Sequence, residues 1–276
     1  MSFEKASVAL HESLPNNWHA VETQLLYYTD AYLRGFDSEV IAADPDAHAV
    51  ALRATAFFPT GGGQPHDTGE LRFRGGVAGV VDVAKDKSGL VWHRLATAAP
   101  LPEVGEPAHG GVDWRRRYLI MRIHTAQHIL NGVIWRDYGA HVTGAQITPP
   151  EGRLDFELPS MSQEFARAVE ARVNEVVAQD MPVRVLFLPR AEADRDPSLI
   201  RLKANLIPRS IDPLRVIDIV GLDRQADGGT HVASTREVGY VRVVKAESKG
   251  KANKRIRISI EDAPAPPAVA SGGSGG

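Results

Sequence analysis

The chain has 276 residues, 43% of them hydrophobic and 24% charged, so it can bury a sizeable core as one large or two modest domains. A formal net charge of −2 excludes capture of a polyanion by the global field, and any nucleic-acid contact must come from local basic patches. Zero cysteines exclude a disulfide framework, a thiolate zinc site and a cysteine nucleophile.

The opening MSFEKASVALHES is too polar and acidic for a signal peptide, and no stretch approaches the ~18 apolar residues of a membrane span. A cytoplasmic protein with no membrane partner is expected. Residues 1–48 carry no readable role beyond ETQLLYYTDAYLRGF, which starts a strand or a helix. From Ala49 to Val112 the pieces AVALRATAF, GELRFRGGVAGVVDVA and GLVWHRL are separated by Gly, Asp and Pro, which predicts a small β-barrel or curled sheet.

PLPEVGEPAHGGVDW is a Pro/Gly-rich hinge, and it sets a domain boundary near Gly111. RRRYLIMRIHTAQHILNGVIWRDYG then repeats its apolar residues at three and four, the spacing of an amphipathic helix. A second helix is predicted in SMSQEFARAVEARVNEVVAQDMP, with Ser162 as N-cap and Met181-Pro182 closing it. RLDFEL, VRVLFL, LRVIDI, YVRVVKA and KRIRISI alternate as strands do. Residues 112–262 therefore read as α+β, with helices covering one face of a mainly antiparallel sheet. PAPPAVASGGSGG, within residues 263–276, reads as a disordered tail.

His124 and His128 stand at i and i+4, so both imidazoles project from one helix face and can hold one metal ion. Taken alone, such a pair is a frequent coincidence. DGGTH, about a hundred residues later, adds His231 and Asp227 on a glycine-permissive turn. Three imidazoles and a carboxylate make a tetrahedral zinc set, and three-ligand zinc with a water in its fourth place can attack an acyl carbon. The alternative is a polar turn with no metal. In PTGGGQPHDTG, three consecutive glycines, Gly61, Gly62 and Gly63, let backbone N–H groups approach a ligand; the alternative is a tight β-turn. No lysine and Ser/Thr follow, so this is not a P-loop and ATP is not expected. Arg115, Arg116, Arg117 and Arg122, and Lys245, Lys249, Lys251, Lys254, Arg255 and Arg257, are either solvated faces or a positive surface for phosphates.

DWRRRYLIMRIHTAQHIL, PTGGGQPHDTG, DRQADGGTHV and SKGKANKRIRI together resemble the free-standing alanyl-tRNA editing proteins, the AlaX family, which are similar to the editing domain of alanyl-tRNA synthetase. The likeness covers most of residues 49 to 260. It implies a small N-terminal β-barrel over residues 1–111 and a two-layer α/β editing domain of the threonyl/alanyl-tRNA synthetase type. It also implies one zinc ion per chain, and hydrolysis of serine or glycine from mischarged tRNA(Ala).

Carried over by position, His124, His128 and His231 are ligands, while the cysteine of the family's second metal pair falls on Asp227. An oxygen donor there implies weaker zinc binding or another divalent ion. Asp227 is either a ligand or a base acting on the metal's water. The resemblance sets Gly61, Gly62 and Gly63 against the editing pocket, where Gln64 and Asp67 orient the substrate. Thr125, Gln127 and Thr230 can hydrogen-bond a serine side chain; the ordinary reading is a solvated helix face and a strand start. Arg115, Arg116, Lys249 and Lys251 would hold tRNA phosphates. Two rival readings stay open: a metal-dependent hydrolase retuned by Asp227 for another aminoacyl ester or amino-acid derivative, and a tRNA-binding module whose catalytic site has decayed with the cysteine.

Overall fold

Alternating strands with one apolar face must bury that face, and the first half of this chain does so by closing on itself. The computed structural model describes residues 22–200, 207–250 and 253–262. Its first strands are β1 (Gln24–Leu25), β2 (Gly35–Asp44), β3 (Ala49–Leu52), β4 (Ala54–Thr55), β5 (Gly69–Phe73), β6 (Gly76–Lys85), β7 (Val91–Leu95) and β8 (Pro107–Val112). Six of them form a closed antiparallel barrel in the order β2-β3-β7-β6-β5-β8. β1 and β4 form a short parallel pair beside it. Val40, Val50, Leu52, Phe57, Leu71, Val83, Val91 and Leu95 fill the barrel.

The barrel begins earlier than the sequence reading placed it. β2 lies in the stretch that carried no readable role, because a register shift between Val40 and Ala42 breaks its alternation.

Asp113 caps α1 (Trp114–Tyr138) by accepting the Arg116 N–H at 3.2 Å, and Gly139, at φ +64°, ends the helix in the left-handed conformation. The expected amphipathic helix is instead buried on most of its surface, from Arg117 and Ile120 to Ile134. The reason is its position between the barrel loop and the second half of the chain. β9 (Val142–Thr148), β10 (Glu151–Phe156), β14 (Tyr240–Ser248) and β15 (Lys254–Glu261) form a four-stranded antiparallel sheet in the order β14-β15-β10-β9. α1 and α2 (Gln163–Ala178, capped by Ser162) cover one face of it through Leu130, Val133, Val173, Leu154, Phe156, Ile256 and Ile258. The single antiparallel sheet expected for this half is split in two. β11 (Val183–Leu188), β12 (Leu214–Ile219) and β13 (Asp223–Ala226) form a separate three-stranded sheet with its own small core against α3 (Arg190–Ala193). The chain is thus mixed α/β, with a closed six-stranded barrel and few helices. Among the described residues no helix is long and apolar enough to cross a membrane. The expected tail, 263–276, lies outside the described residues.

Barrel and helix are joined by a buried ion pair. Arg117 and Asp67 have no exposed side-chain surface, and Arg117 Nε donates to both Asp67 oxygens at 3.0 and 3.1 Å. Arg117 Nη1 also donates to Ala31 O at 2.9 Å. Two sequence expectations are corrected here. Asp67 holds the helix rather than a substrate, and Arg117 is buried rather than part of a phosphate-binding surface. Removing one partner leaves the other charge buried and unmatched, so Arg117→Met or Asp67→Asn should each lower unfolding free energy by about 3–5 kcal/mol in denaturant titrations. The double variant should lose less than the sum.

His93 sits wholly inside the barrel, with Nε2 2.8 Å from Thr55 Oγ1, and burial pushes its pKa down from 6.5 to about 4. Below pH ~6.5 the unfolded chain takes up a proton at this residue and the folded chain does not, so stability falls with falling pH until about 4. This residue should account for a loss on the order of 3 kcal/mol across that window, measured as the slope absent from a His93→Gln variant.

Candidate metal centre

The turn after β13 brings Asp227 and His231 up to the face of α1. Asp227 Oδ2 accepts the Gly229 N–H at 2.7 Å, closing a turn in which a side chain replaces a backbone acceptor. Gly229 has no room for a side chain, because a Cβ would lie 2.4 Å from His124 Cε1 and 2.6 Å from Gln64 Oε1. The second glycine of DGGTH thus lets the loop lie directly on the helix.

Ligand-type atoms of His124, His128, Asp227 and His231 all lie within 4.8 Å of one another. The ring centroids of His124 and His231 are 4.2 Å apart, those of His128 and His231 4.7 Å. Each imidazole has its Nδ1 turned to an outer oxygen. His124 Nδ1 lies 3.0 Å from Gln64 Oε1, His231 Nδ1 3.1 Å from Thr125 Oγ1, and His128 Nδ1 3.9 Å from Asp223 Oδ2. With an ion bound, protons on Nδ1 would leave the Nε2 lone pairs for the centre, the usual way that outer partners orient metal-binding histidines, and the ion would replace the His231 Nε2 hydrogen bond to Asp227. His124 Nε2 is 3.7 Å from Asp227 Oδ1, and His231 Nε2 is 3.0 Å from Asp227 Oδ2. The donor set of three imidazoles and one carboxylate fits a divalent ion, so the residues suit the metal that the sequence implied.

Burial holds the His124 and His231 rings below the ordinary histidine pKa, which keeps them neutral as ligands must be. Burial works against the Asp227 charge, yet the facing His124 ring and the His231 hydrogen bond hold its carboxyl well below the usual range. Arg215, 4% exposed on β12, donates from Nη1 to Asp227 O at 2.8 Å and from Nε to Tyr28 O at 3.0 Å.

The centre opens into a cleft of about 310 Å³ whose walls include Tyr28, Phe58, Gly61, Gly62, Lys85, Gly228 and Gly229. The glycine loop of the barrel therefore meets the DGGTH turn across this cleft. Gly63 is not among its lining residues; it packs on β9, where a Cβ would lie 2.6 Å from Ala145 O.

Several expected substrate contacts are engaged elsewhere. Gln64 is 1% exposed; Oε1 accepts the Thr230 N–H at 3.0 Å and faces His124, while Nε2 donates to Thr230 Oγ1 at 3.0 Å. It braces the centre instead of touching an ester, and Thr230 is occupied in the same contact. Thr125 is fully buried, and its hydroxyl accepts the Val232 N–H at 3.2 Å. Gln127 Nε2 donates to Gln146 O and Arg153 O, both at 3.0 Å, and so ties α1 to the sheet. Arg116 donates to His66 O at 2.9 and 3.0 Å, and Arg122 to Val238 O at 3.0 Å, whereas Arg115 is exposed. Lys249 lies at the far hairpin of β14 and β15, 3.4 Å from Glu247, and Lys251 falls outside the described residues.

Sequence reasoning missed Asp223 and Arg215. An arginine at a buried position of the apolar strand LRVIDI was the available signal for the second. Asp223 gave none, because DRQA is too short and polar to read as a strand.

Residues 5–116 match the family model described as tRNA synthetases class II (A), and residues 214–257 that of the threonyl and alanyl tRNA synthetase second additional domain. The alanyl-tRNA editing protein AlaX-M of Saccharolobus solfataricus is 36% identical over 240 residues, 87% of this chain and 99% of that protein. AlaX-M of Methanosarcina mazei is 35% identical over 245 residues, covering 87% and 97%. Alanine–tRNA ligase of Pyrobaculum neutrophilum is 40% identical over 232 residues, 82% of this chain but 25% of the ligase. With that identity along nearly the whole of its free-standing relatives, this chain belongs to the AlaX-M family of alanyl-tRNA editing proteins.

Proposed function

We propose that the protein is a trans-acting aminoacyl-tRNA deacylase that hydrolyses the ester joining serine or glycine to mischarged tRNA(Ala). The observation that carries this reading is the convergence of His124, His128, His231 and Asp227 within 4.8 Å beside a cleft walled by two glycine turns. In this reading residues 1–111 are a barrel domain that supplies one wall of the pocket. Residues 112–262 are an editing domain of the threonyl/alanyl-tRNA synthetase type, followed by a tail.

The three histidines would hold a zinc ion, with Asp227 as fourth ligand. Asp227 Oδ2 is occupied by the Gly229 N–H, which leaves Oδ1, the oxygen facing His124 Nε2. A bound divalent ion supplies electrophilic polarisation of an ester carbonyl and lowers the pKa of water. Gln64 and Thr125 hold the His124 and His231 imidazoles in orientation from outside, and the Asp223 carboxylate faces His128 at 3.9 Å. Gly61, Gly62 and Gly228, which lack side chains, keep the cleft open to a small aminoacyl group. The amino-acid choice falls to the groups on the cleft wall, since Thr125 and Gln127 point their polar atoms at protein partners. Arg115 and Lys249 remain exposed cations available to tRNA phosphates, with Lys251 two residues from Lys249 in sequence.

Protein purified without added zinc should carry about one divalent ion per chain by elemental analysis; a consistently empty protein would favour the decayed tRNA-binding module. His124→Ala should abolish hydrolysis of Ser-tRNA(Ala) while Ala-tRNA(Ala) stays intact, and full retained activity would remove the metal-centred reading. Gln64→Ala should weaken metal binding roughly 10- to 100-fold, as loss of an outer partner does. Asp227→Cys should raise zinc affinity, and an unchanged Kd would make Asp227 a base outside the ligand set. Because His124 and His231 are held neutral, protons compete with the metal at these two rings only below the ordinary value of 6.5. The contribution of these two rings to the pH dependence of zinc Kd should be absent from pH 8 down to about 6.5 and appear only in more acidic buffer, read as the difference in that dependence between the native protein and a His231→Ala variant.

A further inference from the structure

Among the described residues the sheet face opposite α1 and α2 has no helix on it, and it carries a groove of about 470 Å³. β9 contributes Gln146 and Thr148 to it, β10 Glu151 and Arg153, and β15 Arg255 and Arg257. Arg153, Arg255 and Arg257 line it with Glu151, and Asp155 and Glu247 beside them balance the local charge, so the groove offers a strand guanidinium N–H donors rather than a net positive field. The register explains the grouping. Arg153 pairs across the ladder with Gln146 on one side and Arg257 on the other, so all three side chains stand in one row on the same face.

Two of the arginines are pre-set by Asp155. Arg153 Nη1 and Arg255 Nε each donate to it at 2.7 Å, and Arg255 Nη2 adds a bond at 2.9 Å. Arg153 Nε and Nη2 donate to Gln146 Oε1 at 3.2 and 3.0 Å, so both planes are fixed and only the remaining Nη protons are left to a ligand. Arg257 is only loosely held, 3.9 Å from Glu151 and 3.7 Å from Glu247, and its Nε makes no hydrogen bond. Arginine forks held in a row suit the repeating phosphates of a nucleic-acid strand.

The groove also adjoins the metal cleft. Gly61 and Gly62 line the cleft, while the next residue, Gly63, accepts the Ile147 N–H at 2.8 Å between the groove residues Gln146 and Thr148. The triple-glycine turn is thus the low rim between the two, with no side chain to block a strand crossing it.

We propose that this groove seats the phosphate backbone of the 3′ strand of tRNA, which crosses the glycine turn into the metal cleft. The inference rests on the deacylase reading above and adds the path of the substrate to it. The experiment uses the full chain, an unacylated tRNA(Ala) transcript, Ser-tRNA(Ala) and a seryl-adenosine ester. Arg257→Gln should weaken transcript binding several-fold and reduce the slope of log affinity against log salt by about 1, and Arg257→Glu should weaken it further. Hydrolysis of seryl-adenosine, metal content and melting temperature should stay at native values, because Arg257 touches none of the metal centre. Unchanged affinity and salt slope in both folded variants would overturn the proposal. The deacylase reading is tested separately by the native protein: inactivity on both Ser-tRNA(Ala) and seryl-adenosine removes that reading, while the binding titration still decides the groove. Since the chain has no cysteine, Thr148→Cys accepts a single thiol-directed photocrosslinker. It should capture the 3′-terminal nucleotides, and capture confined to other parts of the tRNA would overturn the path.

Discussion

The Arg117 guanidinium reaches from the first turn of α1 to both oxygens of Asp67, and Asp67 Oδ2 also accepts the Phe58 N–H at 2.6 Å. One charge pair thereby fixes the loop between Phe58 and Asp67 and docks it on the helix that carries His124 and His128. Gln64 lies inside that loop and reaches both His124 and Thr230. The orientation of an imidazole on the helix is therefore set by a barrel residue, which is itself set by a salt bridge. Neither half of the chain would present the same centre without the other.

The centre is an arrangement of imidazole rings around one carboxylate, in surroundings dry enough to depress the pKa values of His124 and His231. Gathering four polar groups this closely is unfavourable unless each has a fixed partner. Gln64, Thr125, Asp223, Gly229 and Arg215 are those partners, and they come from the barrel loop, the helix, β13, the DGGTH turn and β12. The wide origin of this support explains why the second half splits into two sheets. β12 and β13 hold the Asp227 side of the centre, while the four-stranded sheet backs the helix that brings the histidines.

The amino-acid sequence revealed the metal residues more readily than their supports. HTAQH and DGGTH are compact signals in which spacing and chemistry coincide, and the structure gathers all four of their acidic and imidazole side chains. α2 and its Ser162 cap, and strands β11 and β12, were legible because alternation and capping are local. β2 was hidden by its bulge, and β13 by its polar four-residue length. The roles of Gln64, Asp67, Thr125 and Gln127 depend on partners 19 to 166 residues away, and no local pattern distinguishes an amide that braces a histidine from one that meets a substrate. The same limit applies to Arg117, which looks in sequence like one of four surface cations.

The absence of sulfur from the four clustered side chains has a chemical consequence beyond metal preference. A thiolate bound to a metal is open to peroxide and to alkylating agents, and its oxidation releases the ion. A carboxylate offers no such reaction. Built from imidazole and oxygen alone, this centre contains no group that an oxidant could convert to a sulfenic acid or tie into a mixed disulfide.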